Sequence, residues 1–359
     1  MTVTTTSSTP RVRPDLAALP AYVPGRKTPG AVVLASNESP YGLLPGVGEL
    51  LADAAQTTSR YPDMGATALL EALAQHHGVT PDRVAVGAGS VEVLGQLVTA
   101  TVRPGDDVVF GWRAFEAYPI VTAVAGGNPV RVPLTAGHVH DVDAMADAVT
   151  PQTRVVLVCN PNNPTSTAVG EAELRRVVDA VPDDVLVVID EAYREYVDPA
   201  LVPDAFALFG DRPNVAVLRT FSKAYALAGL RVGYCLGAPE LVRVVRTCQV
   251  PFSVSGLAQQ AAVAALGQQE EVARRAQLTV AERTRVAEAL RRSGFEVPDS
   301  QANFVWLPLG EASAAFARHC AQEHVLVRPF AGEGVRVTIG LPEENDAFLS
   351  AAGSFSQET

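Results

Sequence analysis

Lys223 stands in the stretch RTFSKAYALAGLRVG, just past an apolar run, with hydroxyls at Thr220 and Ser222 and a guanidinium at Arg231. A lysine held among other cations and partly desolvated loses its proton more easily, and the free amine is a nucleophile able to form a Schiff base. The hydroxyls and Arg231 suit a phosphate monoester beside it. One run earlier, VLVVID ends in Asp190, followed by Glu191 and Tyr193. A carboxylate at the mouth of a buried strand needs a partner, because an unpaired buried charge is costly. That partner is a cation, a metal or a protonated ring nitrogen.

Two further stretches sit at comparable places. GAGSVE (from Gly87) follows a strand-like run and opens a helical pattern, so its amides and the helix dipole suit an anion; a plain strand-to-helix turn explains it equally well. As a dinucleotide fingerprint it lacks the third glycine. CNPNNPTS carries Asn160, Asn162 and Asn163 between prolines, and Asn163 is positioned to donate an amide hydrogen bond, although Asn and Pro also simply build turns. The six histidines show no zinc-like spacing around Asp190, and His138 and His140 flank a turn where solvated rings are expected.

The elements that must position these groups are legible as alternating apolar runs and helical patterns from about residue 65 to 220: RVAV, DVVF, PVRV, RVVLVC, DVLVVID and NVAVLRT, separated by segments such as VEVLGQLVTATV and EAELRRVVDAV. Runs this uniformly apolar are covered on both faces, which predicts a mostly parallel sheet sandwiched by helices, an α/β fold. Ligands of such sheets collect beyond the carboxyl ends of the strands, where the chemistry-bearing residues fall. GLRVGYCLG reads as another strand, a helix-rich stretch follows from about Ser255 to Arg292, and NFVWLP, HVLVRP and GVRVTIG read as strands of a smaller α+β domain. The expected organisation is an N-terminal arm over 1–39, a large domain over 40–248 and a small domain over 249–359.

Composition narrows the function class. With 359 residues, 48% hydrophobic and 19% charged, the chain has the make-up of an ordered globular protein of about two domains. The balance of 28 Lys+Arg against 39 Asp+Glu leaves a net charge of −11 with no basic run, which disfavours nucleic acid and anionic membranes. Four scattered cysteines without a CxxC pair point to neither a disulfide framework nor a zinc knuckle and suit a reducing cytoplasm. The opening MTVTTTSSTP has no apolar core of a secretory signal, and no run of about 18 apolar residues could span a bilayer.

The order Asn163, Asp190, Tyr193, Thr220, Lys223, Arg231 resembles the signature of fold-type I pyridoxal-phosphate aminotransferases, whose fold is the aspartate aminotransferase-like PLP-dependent transferase fold. LAALPAYVPG, LASNESPYG, RYPD, QANFVWLP and GVRVTIGLPEEND extend the likeness over nearly the whole chain, toward the histidinol-phosphate aminotransferase family. GWRAFEAYP, VPFSVS and QANFVWLP look most like its aromatic amino acid aminotransferase branch. One position departs from the usual pattern: Ser166 stands where many relatives carry glycine, so the local loop is expected to differ by a backbone angle.

The resemblance implies pyridoxal 5′-phosphate as cofactor and assigns roles residue by residue. Lys223 would bond the cofactor aldehyde and, once released, move a proton between Cα and C4′. Asp190 would pair with the protonated pyridine nitrogen, so that the ring can accept electrons. Asn163 and Tyr193 would hydrogen-bond the ring's O3′, and Phe115 would stack on its face. The phosphate would rest on the amides of Ala88, Gly89 and Ser90, with Thr220, Ser222 and Arg231 completing the cup. Tyr61 would reach the phosphate of a neighbouring subunit, which requires a homodimer.

For the substrate, the resemblance makes Arg336 the carboxylate-binding arginine, places Arg328 where relatives recognise the phosphate of histidinol phosphate, and puts Tyr22 on the arm that closes over the site. The expected activity is transfer of an amino group between an aromatic amino acid and a 2-oxo acid such as 2-oxoglutarate, in the cytoplasm and in amino acid biosynthesis. The rivals are histidinol-phosphate transamination, a decarboxylase or β-lyase on the same scaffold, and a sensor domain fused to a DNA reader, for which the N-terminus is too short and too poor in basic residues.

Overall fold

Valine-rich runs build the middle of the main sheet. The computed structural model describes residues 12–19 and 28–355. Its strands are β1 (Val32–Val33), β2 (Val84–Gly87), β3 (Asp107–Trp112), β4 (Asn128–Pro133), β5 (Thr153–Cys159), β6 (Leu186–Asp190), β7 (Val215–Thr220), β8 (Gly233–Leu236), β9 (Phe304–Leu307), β10 (Val325–Leu326), β11 (Arg328–Phe330) and β12 (Gly334–Thr338). The large sheet has the order β2-β8-β7-β6-β5-β3-β4. All its pairs are parallel except those that β8 makes with β2 and β7.

Alternate residues feed two cores. Val155, Leu157 and Cys159, with Leu186, Val188, Ala216 and Leu218, face one layer of helices, whereas Val156, Val158, Val187, Ile189, Val215 and Val217 face the other. With both faces apolar, each strand reads as a continuous hydrophobic run, and each fully buried Val, Leu or Ile contributes roughly 1.5–3 kcal/mol. The register sets Cys159 beside Asp190 and Asp190 beside Leu218, which brings the ends of β5, β6 and β7 side by side.

The helix-rich stretch is two helices, Gly256–Leu266 and Gln269–Arg292. The Ser255 hydroxyl caps the first by accepting from the Ala258 N–H at 3.2 Å. That helix packs with Leu44, Val47, Leu69 and Phe221, in the core beside the large sheet. A separate core gathers Leu34, Leu290, Leu307, Phe316, Val337 and Phe348 around the antiparallel sheet β11-β12-β9.

HVLVRP is expected as one strand but is two. Val325–Leu326 pairs in parallel with Val32–Val33, while Arg328–Phe330 pairs antiparallel with β12 in a different sheet. The chain therefore changes partners at Val327, because the N-terminal segment, which shows little periodicity in sequence, supplies a short strand of its own. Among the described residues no helix is long and apolar enough to cross a membrane.

Candidate active site

Asp190 ends β6 with 5% of its surface exposed. Its Oδ2 accepts from the Tyr118 hydroxyl at 2.9 Å, whereas Oδ1 is buried with no hydrogen-bond partner. Burial pushes the carboxyl up to about 6, against the Tyr118 hydrogen bond and the Ala192 N–H, which favour the charged form. A buried carboxylate oxygen left open at a strand end is what a protonated ring nitrogen would fill. Among the described residues no group of three or more His, Cys, Asp or Glu side chains converges as a metal site.

Lys223 follows β7 by three residues, and its Nζ donates to the Ser36 carbonyl at 3.2 Å while standing 5.8 Å from the centre of the Tyr193 ring. Burial, and after it the positive charge of Arg336, push the ammonium down to about 7, opposed by Glu38 and by Asp190. Amine and acid therefore sense each other's charge across the site.

The donors that would meet a phenolic ring oxygen are set by their other contacts. Arg336 donates to Asn163 Oδ1 at 2.6 Å and to the Ala35 carbonyl at 2.6 Å. Since a guanidinium can only donate, Asn163 must turn its oxygen to Arg336, which leaves the Nδ2 end as the donor. Asn37 Nδ2 donates to the Tyr193 hydroxyl at 3.0 Å, so that hydroxyl keeps its own proton to give. Phe115 is half-buried and meets Tyr118 edge-on at 5.8 Å.

The strand-to-helix turn also closes on itself. Gly89 has φ 86°, and a Cβ there would run into the Arg231 guanidinium; a Cβ on Gly233 would strike the Ser90 backbone. Arg231 donates to Ser222 Oγ at 3.3 Å, and the Thr220 hydroxyl donates to Ser222 Oγ at 3.1 Å. Two hydroxyls and a guanidinium thus gather where Arg231 meets Gly89 at the start of the helix Ser90–Thr101, a donor set suited to an anion. The Ala88 N–H, expected to serve the phosphate, is instead given to the Glu92 carboxylate, which must leave before an anion can use it.

A model of the family described as aminotransferase class I and II matches residues 29–351. The chain belongs to the aminotransferase class I and II family. It is 53% identical to the aromatic amino acid aminotransferase of Streptomyces coelicolor over 98% of this chain and 99% of that one. It is 56% identical to the enzyme of the same name from Mycobacteroides abscessus, over 94% and 97%. Among solved structures, the Sinorhizobium meliloti histidinol-phosphate aminotransferase in complex with pyridoxal-5′-phosphate superposes with a TM-score of 0.87 at 30% identity, covering 97% of this chain and 98% of that one.

For this aminotransferase the structure brings together Asn163, Asp190, Tyr193, Lys223 and Arg336, and separately Gly89, Ser90, Thr220, Ser222 and Arg231. Tyr61 is 84% exposed and stacks on Phe252 at 4.6 Å, on an outer face. Tyr22 lies outside the described residues. Arg328 ends on Glu116.

Sequence reasoning missed Tyr118, Asn37, Glu92 and Glu116. Only Tyr118 carried a usable signal, since a buried acid requires a donor and GWRAFEAYP supplies a tyrosine one helical turn past Phe115. His140, expected solvated, is buried, with Nε2 at 3.0 Å from the Cys159 carbonyl. Its ring fills the space left by Gly111, where a Cβ would collide with it.

Ser166 corrects the expectation for its loop. It adopts φ 63°, the left-handed conformation that glycine prefers, so the backbone keeps the glycine-like angle with a serine in it. Its hydroxyl is buried without a hydrogen-bond partner. Left-handed backbone costs a non-glycine residue roughly 1–2 kcal/mol, and a buried unsatisfied hydroxyl costs about 1–3 kcal/mol. Glycine's extra freedom in the unfolded chain offsets part of this. Ser166→Gly is expected to raise stability by about 1 kcal/mol in urea denaturation, and a variant less stable than wild type would contradict this account.

Proposed function

We propose that this chain is a pyridoxal 5′-phosphate-dependent aminotransferase that exchanges an amino group between an aromatic amino acid such as phenylalanine or tyrosine and a 2-oxo acid such as 2-oxoglutarate. The observation that carries the reading is the buried, open Oδ1 of Asp190 within electrostatic reach of a lysine whose ammonium is pushed down to about 7. The aromatic donor is supported by near-full-length similarity to relatives named for that activity.

When bound, the cofactor supplies an aldehyde for the substrate amine and a cationic ring that takes up the Cα electron pair. Asp190 Oδ1 holds the proton on the ring nitrogen, and Tyr118 keeps that carboxylate turned toward it. Asn163 Nδ2 and the Tyr193 O–H donate to the ring oxygen, and Phe115 covers the ring face. Gly89, Ser90, Thr220, Ser222 and Arg231 would hold the phosphate, joined by the Ala88 N–H once the Glu92 carboxylate has moved off it. The Lys223 amine would anchor the cofactor aldehyde and, once freed, serve as the general base and acid that moves the substrate's Cα proton. Arg336 fixes the substrate carboxylate, and a carboxylate held by a guanidinium fork is kept on the substrate, which favours proton loss over decarboxylation.

We further propose a cytoplasmic homodimer. Tyr61 and Phe252 flank an apolar groove lined also by Leu50, Pro62, Leu257 and Val263, and the second subunit covers it, so that Tyr61 serves the partner's phosphate. The four cysteines are free thiols, in keeping with a reducing compartment.

A second reading keeps the cofactor and takes histidinol phosphate as donor; Arg328, on the same hairpin face as Arg336, favours it. A steady-state panel of amino donors with 2-oxoglutarate separates the two. Phenylalanine and tyrosine are expected to give the highest kcat/KM from a preparation that sediments as two 37.7 kDa chains. Preferential turnover of histidinol phosphate would replace the first reading with the second.

A further inference from the structure

Three consecutive residues of the segment after β1 each bond a different group of the candidate site. The Ala35 carbonyl accepts from Arg336, the Ser36 carbonyl accepts from Lys223 Nζ, and Asn37 Nδ2 donates to the Tyr193 hydroxyl. The segment is tied in turn to Thr338, the last residue of β12. The Thr338 N–H donates to the Leu34 carbonyl at 2.9 Å, and the Asn37 N–H donates to Thr338 Oγ1 at 2.9 Å. Asn37 is 1% exposed and adopts φ 55°, a left-handed conformation that asparagine tolerates better than most residues.

These contacts fix which way the protons run. Thr338 Oγ1 accepts from the Asn37 N–H, and its own proton goes to Asn37 Oδ1 at 3.1 Å. With its oxygen held there, the Asn37 amide has only its NH2 end to offer Tyr193. Turned round, the amide would take the Tyr193 proton for itself and leave the Thr338 proton without an acceptor among the described residues. Asn37 is also the only partner of the Tyr193 hydroxyl among the described residues. The ring of Phe304, which pairs with Thr338 across β9 and β12, meets the Tyr193 ring edge-on at 5.0 Å.

We propose that Thr338 and Asn37 are positioning residues that aim the Tyr193 hydroxyl proton at the ring oxygen of the cofactor. The inference rests on the transaminase reading and deepens it. Arg336 aims Asn163 in the same way, and residues 336 and 338 lie on one face of β12, so a single strand sets both donors. The two arms differ in what the substrate does to them. Its carboxylate draws on the Arg336 guanidinium, whereas the Thr338 arm contains no cation for it to draw on. The Tyr193 donor therefore stays aimed when the substrate is bound.

The test is a pH titration of the visible band of the holoenzyme in wild type, T338V, T338S and N37D, each repeated with Y193F. A hydrogen bond donated to an oxygen favours its charged form, so losing the aim of Tyr193 should raise the apparent pKa of the bound cofactor. T338V keeps the side chain's shape and removes the proton that fixes the amide, and is expected to raise that pKa by about one pH unit. T338S, which keeps the hydroxyl, should titrate as wild type. N37D, whose carboxylate can only accept, draws the Tyr193 proton to itself and should raise the pKa at least as far as T338V. Lys223, Arg336, Asp190 and Cys159 also face Tyr193, and all four stay in place in T338V, so its shift is not that of a lost charge. With Y193F, T338V should shift nothing and the N37D shift should shrink. An unshifted T338V or N37D, a T338S that titrates like T338V, or shifts as large with Y193F as without it overturn the inference and leave the transaminase reading intact. A wild-type protein that shows no visible band with pyridoxal phosphate removes both.

Discussion

Lys223→Ala is expected to lower turnover by at least about four orders of magnitude and to abolish the visible absorption band of the anchored cofactor. Removing a positioned general base alone costs roughly 10²–10⁴-fold, and this substitution also deletes the covalent anchor. The wild-type amine is prepared for both roles by its surroundings. Burial first, then Arg336, push its ammonium down to about 7 from the usual 10.5, so near neutral pH a large fraction is already the free amine. The direction is testable on cofactor-free protein: the rate at which it captures pyridoxal phosphate should rise as pH passes upward through about 7, because only the deprotonated amine attacks the aldehyde. A rate that is flat from pH 6 to 9, or a Lys223→Ala variant that keeps turnover, would show that another group does this work.

The α/β class and the succession of strands along the chain were legible because a parallel sheet buried on both faces leaves uninterrupted apolar runs, and those at Thr153–Cys159, Leu186–Asp190 and Val215–Thr220 end where the chemistry begins. Asn163, Asp190, Lys223 and the GAGSVE turn stood out as candidates for the same reason, since each sits at a strand end or in the loop after it, whereas Phe115 and Tyr61 came only from the family resemblance. What the sequence did not disclose depends on packing across long separations. Val32–Val33 is too short to show a period and is a strand only because Val325–Leu326 lies beside it. The Arg328–Glu116 pair joins residues 212 positions apart, and nothing in either local pattern marks it. His140 sits among turn residues in the sequence, and its burial depends on a space left by Gly111 on β3. The expected division at residue 248 follows composition, whereas the helix Gly256–Leu266 packs into the core beside the large sheet; we propose that the mechanical boundary of the small domain lies after it.

Asp190→Asn is expected to act in opposite directions on activity and on the cofactor-free fold. For activity, the amide keeps the shape of the side chain but removes the charge that holds a proton on the ring nitrogen. Breaking a buried charge pair from one side typically costs about 3–5 kcal/mol, or roughly two to four orders of magnitude in rate if the loss falls on the transition state. For the cofactor-free fold, the carboxyl is raised from 3.8 to about 6, chiefly by burial. Between those two values the folded state binds more protons than the unfolded one, so stability from this group is present below about pH 3.8 and is lost as pH rises through about 6. A rise of that size places a burden of about 3 kcal/mol on the empty fold at neutral pH. The neutral amide removes that burden but leaves its own donors to satisfy, so the cofactor-free variant should be more stable than cofactor-free wild type by about 1–2 kcal/mol at pH 7.5, with the difference vanishing near pH 4. Binding of pyridoxal phosphate should reverse the order, because only the carboxylate gains a cationic partner on Oδ1. Urea denaturation of both proteins, with and without cofactor, at the two pH values reads all of these signs. An empty Asp190→Asn fold that is no more stable than wild type at pH 7.5 would mean that the acid is already paired in the empty site, and that the open oxygen on which the cofactor assignment rests does not exist.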